Sequence, residues 1–487
     1  MIILYYPKLT RPKNRRFPLS IMALAAVLEG REKYEIVDGN LDPNPDATIA
    51  RLIETNHVEL LGVSVMPGPQ MVAAMHSCKS IRTQYPQVPI VWGGYFPSVY
   101  SETTLNARYV DYAVRGQGET TLLELLEALR GQRELGTVAG LSYKNIFGLK
   151  VHNPERPMQG LDRFPWMPFH RVQVESYLRP SYFGKRTGAH QASLGCPFQC
   201  TFCAVHEAFG SMQKMESPAR TAAILGHLAK NYGMDGVQFY DMNFFVREDH
   251  TRELMERLAP LGLHWWCEGR IDAISRYSDE TLEWIRRGGC TMIFFGAESG
   301  SNKILKEMKK GITTEQTEAV AVRLRKLGIV PEFSFVIGNP KDPEGDTHDT
   351  IAFIRKLKRL NPASEIIMQH YTPVPNKGKM YGEIDGQVSF PPTIEEWATP
   401  RWYNFTVREN PSLPWLKPAT KKLIDNFETI VDCRWPTVQD IRASNWSRAI
   451  LRILGWWRYS TRFYYAPVEL RMAQNWIRLR RPKVESI

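Results

Sequence analysis

The chain has 487 residues, too many for one ordinary hydrophobic core and enough for two or three domains. Hydrophobic residues make up 43% and charged residues 23%, which are globular values and exclude a largely disordered chain. The formal net charge of +11 suits nucleic acid or an anionic membrane as a partner, but basic residues spread over a solvated surface would give the same charge.

The cysteines and the apolar runs indicate a compartment. Seven cysteines, an odd number with a single cluster, exclude a disulfide framework in a chain of this length. The start "MIILYYPKLTRPKNRRFP" has too short an apolar run for a signal peptide. No window offers the roughly 18 uninterrupted apolar residues of a spanning helix. The sequence therefore predicts a cytoplasmic protein with reduced thiols.

Residues 1–140 predict an N-terminal Rossmann-like domain. The apolar runs "IILYYP", "YEIVDGN", "LLGVSVM", "PIVWGG" and "DYAVRGQGE" alternate with helical patterns, which indicates a parallel sheet covered by helices on both faces. Such sheets bind ligands at the carboxyl ends of their strands. The residues predicted to bind a ligand there are Ser64, Gly93, Gly94, Gly116, Gly118 and Glu119.

After a predicted linker at 141–185, residues 186–380 predict a partial (β/α)6 barrel. The predicted strands are "HQASLGC", "GVQFYD", "LHWWCEG", "TMIFFGAES", "PEFSFVIGNP" and "SEIIMQHYTP". The working residues of such barrels lie at the carboxyl ends of the strands. The residues singled out at or beside these ends are Asp241, Glu268, Arg270, Glu298, Ser299 and Gly338.

The stretch "SLGCPFQCTFC" places Cys196, Cys200 and Cys203 in one loop. A [4Fe–4S] cluster needs four ligands, so three thiolates would leave one iron free to bind a small molecule. The competing interpretation is a zinc site completed by His206, although structural zinc usually takes two separated ligand pairs. Cys267 has no such neighbours in the sequence and, like Cys290, is predicted to be a small buried hydrophobic residue.

The region from about 190 to 375 resembles the radical S-adenosylmethionine superfamily. The resemblance rests on the spacing Cys-x-x-x-Cys-x-x-Cys, on the preceding strand, and on Phe202 before the last cysteine. It extends through "FYDMNF", "CEGRID", "FFGAESGSNKILKEMKKG" and "FVIGNP". It implies that the cluster binds S-adenosylmethionine at its free iron and cleaves it to a 5′-deoxyadenosyl radical.

The same resemblance implies roles for the barrel residues. Asp241 would hold the ammonium group of S-adenosylmethionine, and Arg270 beside Glu268 would grip its carboxylate, for which a guanidinium is well shaped. Glu298, next to Ser299, would contact the ribose or the amino group, and the strand with Gly338 would flank the adenine.

The stretches "WGGYFP" and "RGQGE" resemble the cobalamin-binding domain that precedes the catalytic domain in one large class of these enzymes. The resemblance implies bound cobalamin. Neither "TRPKNRRFP" nor "MPGPQM" contains a histidine, so the lower face of the cobalamin is expected to lack a histidine ligand. The alternatives are a flavodoxin-like domain that binds nothing and one that binds a different nucleotide-like ligand.

Residues 381–487 predict a mostly helical extension rich in aromatic and basic residues. The stretch "FPPTIEEWATPRWYNFTVRENPSLPWL" suits either the wall of a substrate pocket or a small packing domain. Basic residues then alternate with aromatic ones, which predicts a helix packed with its arginines outward or a peripheral membrane contact, with nucleic-acid binding as a further alternative. These basic residues are Arg448, Arg452, Arg458, Arg462, Arg471, Arg478, Arg480, Arg481 and Lys483.

The order of the domains resembles cobalamin-dependent radical enzymes, including the anaerobic magnesium-protoporphyrin ester cyclase type and radical methylases. It implies methyl transfer to an unactivated carbon of a small-molecule, lipid or tetrapyrrole-like substrate, with an electron donor such as flavodoxin or ferredoxin. The first alternative is oxidative cyclisation or ring rearrangement without net methyl transfer. Methylthiolation is disfavoured, because that family carries three cysteines in its N-terminal domain and only Cys78 precedes the loop here. A zinc-dependent nucleic-acid-binding protein is the alternative of another class.

Overall fold

The computed structural model describes residues 1–10, 14–373, 388–405, 413–441 and 443–477. Two seven-stranded sheets dominate it. The predicted fold class is confirmed: an N-terminal parallel sheet is followed by a curled half-barrel and a helical C-terminus.

The first sheet has the strand order β2-β1-β3-β4-β5-β6-β7, and its first five strands run parallel. Its strands are β1 (Ile2–Tyr6), β2 (Tyr34–Asp38), β3 (Leu60–Ser64), β4 (Ile90–Gly93), β5 (Tyr112–Val114), β6 (Leu141–Lys144) and β7 (Lys150–His152). The helices are α1 (Leu19–Leu28), α2 (Pro45–Thr55), α3 (Pro69–Gln84), α4 (Tyr95–Val99), α5 (Ser101–Asn106) and α6 (Glu119–Leu129).

Both faces of this sheet are buried, as its continuous apolar strands predict. Along β1, Ile3 and Tyr5 pack into one hydrophobic cluster, while Ile2 and Leu4 pack into a second cluster on the other face. Successive side chains of a strand point to opposite faces, so one strand serves two cores. Each fully buried aliphatic side chain contributes about 1.5–3 kcal/mol.

The first residues of the predicted linker form two strands of the first sheet. Strand β6 pairs antiparallel with β5, and β7 pairs antiparallel with β6, so residues 141–152 extend the first sheet. The predicted boundary at residue 140 falls immediately before this β6–β7 hairpin. The sequence did not indicate these strands, because they are short and end at an exposed turn, a pattern that also fits a linker.

The second sheet has the order β16-β15-β14-β13-β12-β9-β8, with six parallel strands and an antiparallel edge strand, β8. Its strands are β8 (Arg179–Ser181), β9 (Gly184–His190), β12 (Gly236–Phe239), β13 (His264–Gly269), β14 (Cys290–Glu298), β15 (Val330–Ile337) and β16 (Glu365–His370). The connecting helices are α8 (Pro218–Tyr232), α9 (Glu248–Leu258), α10 (Ile271–Arg276), α11 (Asp279–Arg287), α12 (Asn302–Glu307), α13 (Thr314–Leu327) and α14 (Pro343–Leu360).

The strand predicted immediately before the cysteines is displaced. The barrel strand is β9, which ends at His190, whereas β10 (Ser193–Gly195) leaves the barrel and pairs antiparallel with β11 (Gln213–Met215). This two-stranded sheet closes the base of the cysteine loop, and α7 (Ala204–Phe209) follows the last cysteine.

The C-terminal extension is divided between the two earlier domains. Helices α15 (Ile394–Trp397) and α16 (Pro400–Phe405) join the hydrophobic cluster of the first sheet. Helix α17 (Pro418–Arg434) packs against α14 of the barrel and carries α18 (Asn445–Thr461) and α19 (Val468–Ile477). The helices that the structure describes between residues 394 and 477 thus pack into different cores. None of the helices that the structure describes is both long and apolar enough to cross a bilayer.

Candidate active site

The three cysteines occupy a loop that is fixed by backbone hydrogen bonds. Within the loop, the amide of Cys203 donates to the carbonyl of Cys200 at 3.2 Å. The amide of Thr201 donates to the carbonyl of Met308 at 3.1 Å, in the turn after α12. The loop is therefore held by a segment more than 100 residues later in the chain, which the sequence pattern did not indicate.

Arg270 organises this loop. Its Nη1 donates to Cys200 Sγ at 3.3 Å, its Nε donates to Asp272 at 2.9 Å, and its Nη2 donates to the carbonyl of Lys310. The guanidinium also lies 3.7 Å from the ring centre of Phe198. This chain's own atoms thus engage every guanidinium nitrogen, and the grip of Arg270 on a cofactor carboxylate stays a prediction.

The thiols lie close enough to influence one another electrostatically. Burial raises the pKa of the Cys196 and Cys203 thiols, and the charge of Cys200 raises both further. Arg270 opposes the shift for Cys196, and Lys310 opposes it for both. A ligand that neutralises thiolates is needed to keep three of them together in such a dry site.

The chemistry of the donor set fits a cluster better than a single ion. Nowhere in the described part of the chain do three His, Cys, Asp or Glu side chains converge closely enough to hold one metal ion. A cubane instead takes each thiolate on a different iron atom, so its ligands need not converge. His206, the proposed fourth zinc ligand, forms a 3.3 Å hydrogen bond with Ser211.

Glu298 forms a buried ion pair at the end of β14. Its Oε1 accepts a hydrogen bond from Lys310 Nζ at 2.6 Å. Glu298 has a φ of 64°, a left-handed conformation that is uncommon for a residue with a side chain. A Cβ at Gly296 would lie 2.0 Å from this carboxylate, so only glycine leaves room for it. Burial lowers the pKa of Lys310, but the charges of Glu298 and Cys200, with the hydrogen bond to Glu298, together outweigh burial and the net pKa is raised.

Asp241 and Glu268 form a second buried acidic site. Burial raises the pKa of Asp241 to about 6. Hydrogen bonds to the carboxylate, such as that from the Ala192 amide at 3.2 Å, oppose this rise. Burial also raises the pKa of Glu268 to about 7, and the nearby charges of Glu332 and Asp241 raise it further. A bound cation would favour the ionised form of both carboxyls.

Ser299 and Gly338 belong to one hydrogen-bond network. The Ser299 hydroxyl donates to Asp346 at 2.8 Å, and Asp346 also accepts from the Gly338 amide at 3.0 Å and from the Asn339 side chain at 2.6 Å. Gly338 has a φ of 79°. The network fixes the turn after β15, and the two residues support that turn rather than pointing polar atoms into open space. Asp346 was missed because it lies on the first turn of α14.

A cavity of about 240 Å³ lies between the first sheet and the barrel. Gly94 and Gly116 carry φ angles of 99° and 72°, so the loops after β4 and β5 approach it without side chains. All six residues predicted to bind a ligand in the first domain line this cavity: Ser64, Gly93, Gly94, Gly116, Gly118 and Glu119. The cavity is too small for a whole corrinoid, so it would hold part of one.

The same cavity contains a buried histidine that the sequence analysis missed. His190 lies at the end of β9, and its Nε2 forms a 2.8 Å contact with Glu216, whose other oxygen accepts from Arg220 at 3.1 Å. Burial lowers the pKa of His190, but the charge and hydrogen bond of Glu216, together with the charge of Asp241, outweigh burial and the net pKa is raised. Its position at the carboxyl end of a strand was the available signal.

A larger cavity of about 500 Å³ joins the barrel, the first domain and the aromatic segment. Cys203 and Glu298 line it from the barrel, and Tyr95 and Tyr100 line it from the first domain. Trp397 of α15 lines it from the C-terminal extension. The aromatic segment, which was predicted as either a pocket wall or a packing domain, therefore serves as both.

The comparisons with known proteins agree with this arrangement. Residues 9–126 match the B12 binding domain, and residues 191–354 match the radical SAM superfamily, SAM being S-adenosylmethionine. An uncharacterised methyltransferase of Pyrococcus horikoshii is 30% identical over 345 residues, which cover 70% of this chain and 73% of that protein. The chain belongs to the cobalamin-binding radical SAM family.

Other members of this radical SAM family are also similar. The anaerobic magnesium-protoporphyrin IX monomethyl ester cyclase of Synechocystis is 26% identical over 362 residues, which cover 72% of this chain and 69% of that enzyme. The structure of the radical methyltransferase TsrM from Kitasatospora setae, with tryptophan and a SAM analogue, superposes with a TM-score of 0.70. At 17% identity, with 98% of both chains covered, that superposition supports the fold.

The protein is therefore a radical SAM enzyme whose cofactors are a [4Fe–4S] cluster, SAM and cobalamin. The cysteine loop fits the cluster, and the glycine-lined cavity fits part of the cobalamin. The cysteine loop opens directly into the larger cavity through Cys203.

Proposed function

We propose that this enzyme transfers a methyl group to a carbon atom of a small, largely apolar molecule held in the larger cavity. When bound, the cluster with SAM supplies a hydrogen-abstracting radical, and cobalamin supplies a transferable methyl group. The observation that carries the proposal is that residues of both cofactor-binding domains line one cavity. A substrate bound there could undergo both hydrogen abstraction and methyl transfer without leaving the protein.

The lining of the cavity supports an uncharged substrate. Aromatic side chains such as Tyr100, Phe294 and Trp397 cover much of its wall. Among the described lining residues there is no lysine or arginine, and the charged Glu298 is already paired with Lys310. A phosphate or carboxylate group would find no cation in this wall. Lipid-like or aromatic molecules meet these conditions.

We assign the residues as follows within the proposal. The three cysteines ligate the cluster, and Arg270 positions their loop. Asp241, Glu268 and Glu298 hold the polar groups of SAM, with the turn of Ser299 and Gly338 behind them. The six residues of the smaller cavity hold cobalamin. The aromatic wall excludes water, which would quench a radical or hydrolyse an activated group.

The proposal includes an electron donor and a second candidate reaction. A one-electron donor such as flavodoxin or ferredoxin reduces the cluster, since radical formation consumes an electron. Oxidative cyclisation without net methyl transfer is the second candidate, favoured by the similarity to the Synechocystis cyclase over most of both chains.

The products separate the two candidates. Anaerobic enzyme loaded with iron, sulfide and cobalamin would be incubated with dithionite, SAM labelled with a deuterated methyl group, and an organic-solvent extract of the source cells. Methyl transfer predicts both 5′-deoxyadenosine and S-adenosylhomocysteine, with the deuterated methyl in an extract molecule. Release of 5′-deoxyadenosine while S-adenosylhomocysteine stays at the level of a cobalamin-free control would contradict methyl transfer and support cyclisation.

A further inference from the structure

The last two described helices expose apolar side chains that no part of the described chain covers. Trp456 is exposed on α18, and the exposed apolar residues that share one side of that helix are Trp446, Ile450, Ile453 and Trp457. On α19 they are Val468, Met472 and Trp476. We call these seven residues the C-terminal apolar face. Trp446 and Trp476 are 81% and 80% exposed, values that are unusual for tryptophan in a globular protein.

The spacing of these residues gives one continuous stripe per helix. Positions three, four or seven residues apart lie on the same side of a helix, as do 446, 450, 453 and 457 on α18 and 468, 472 and 476 on α19. About half of the exposed large hydrophobic side chains found in the described residues fall between Trp446 and Trp476. Contiguous apolar surface of this kind marks an interaction site.

The opposite sides of the same helices already serve the fold. Leu451 and Leu470 are fully buried with Ile430 and Cys433 of α17. Gly455 lets α18 approach α17 so closely that a Cβ there would lie 2.7 Å from the Arg434 amide nitrogen. The C-terminal apolar face is therefore a second apolar surface on helices whose core contacts are complete.

The surroundings of this face are positively charged. Residues 445–477 contain five arginines and one glutamate; Arg458 pairs with Glu469, and Arg471 pairs with Asp425 of α17. Arg452 and Arg462 are exposed beside the apolar stripe. In the sequence, residues 478–487, which lie outside the described part, add four basic residues and one acidic residue.

We propose that the C-terminal apolar face docks on an anionic lipid surface. Tryptophan and arginine on one amphipathic element are the residues that favour the boundary between headgroups and acyl chains. A second copy of the chain is the less favourable occupant, because a symmetric contact would bring two basic surfaces together. The observations that support this proposal all concern the C-terminal apolar face and do not depend on the proposed reaction. Docking on a membrane would bring the enzyme close to apolar substrates in the lipid.

Vesicle flotation with the full-length protein tests the proposal. Wild-type protein is expected to float with vesicles of phosphatidylcholine and phosphatidylglycerol, and much less with phosphatidylcholine alone. The triple variant Trp446→Gln/Ile453→Gln/Trp476→Gln is expected to bind at least about tenfold more weakly, since it removes the inserted side chains. For the double variant Arg452→Gln/Arg462→Gln, the affinity for anionic vesicles is expected to fall about fivefold for each charge removed. Its affinity for phosphatidylcholine vesicles should not change.

A matched control uses apolar residues that are equally exposed elsewhere. Ile146, Phe147 and Leu149 lie at the tip of the β6–β7 hairpin and are also exposed, so their triple glutamine variant should float like wild type. Absence of wild-type binding to anionic vesicles, or unchanged binding of the Trp446 triple variant, would overturn the proposal. A dimer in light scattering that the Trp446 triple variant abolishes would assign the face to a second copy instead. Flotation needs no substrate or turnover, so its outcome is independent of the proposed reaction.

Discussion

Replacing Cys200 with alanine is expected to abolish loading of the cluster and, with it, the release of 5′-deoxyadenosine. Cys200 is buried and contacts Arg270, and it is one of the three thiols that the loop supplies to the cluster. Removing a ligand should cost more than the about 100-fold loss that follows from mutating a partner of a ligand. The measurements are iron and sulfide per chain and nucleoside release under dithionite.

Cys290→Ala is the matched control. Cys290 is also a buried thiol, but it lies at the start of β14, outside the loop. The Cys290→Ala variant should therefore retain iron and activity. Both variants should keep a melting temperature within a few degrees of wild type, because replacing the SH group of cysteine by hydrogen removes little buried volume. Iron content and nucleoside release that survive in the Cys200 variant at wild-type levels would refute the assignment of the loop.

The second large effect is expected from Gly93→Leu, which should prevent cobalamin binding without unfolding the chain. Gly93 lines the smaller cavity, and a Cβ there would come no closer than 3.9 Å to Val114. Its backbone is not left-handed, so the strand tolerates a side chain. Leucine would then fill part of the cavity, and cobalt per chain should fall by at least about tenfold while thermal stability is kept.

Gly93→Ala provides the graded control, because one methyl group leaves most of the cavity open and should retain most of the cobalt. Gly94 is unsuitable for this test, since its φ of 99° and the Val65 carbonyl 3.1 Å from a Cβ would strain any substitution. Full cobalt loading of the leucine variant would show that cobalamin does not use this cavity. Iron loading should be normal in both variants.

The elements were predictable where one physical rule decided them. The barrel strands β12 to β16 are continuous apolar runs, which only a sheet covered on both faces accommodates, and each was found. The ends of parallel strands meet at one edge, so the six first-domain residues could be expected to gather, and they line one cavity.

What could not be predicted depends on contacts between distant parts of the chain. Lys310 was not singled out, because its pairing with Glu298 arises only when the turn after α12 folds back on β14. The contacts of Arg270 with Cys200 and with the Lys310 carbonyl were not predicted, since nothing in "CEGRID" shows that these groups lie within reach. The aromatic segment joins a core formed by residues nearly 300 positions earlier, as the hydrogen bond from Asn106 to Pro392 shows.

The central claim is that one chain holds an incompletely ligated cluster and a corrinoid, each beside a shared cavity. Anaerobic purification with cobalamin supplied, followed by absorbance spectra and metal counts, tests it most directly. The prediction is about four iron atoms and about one cobalt atom per chain, with brown absorbance that SAM perturbs. Stoichiometric zinc with no iron, or a full cluster with no cobalt at saturating cobalamin, would contradict it.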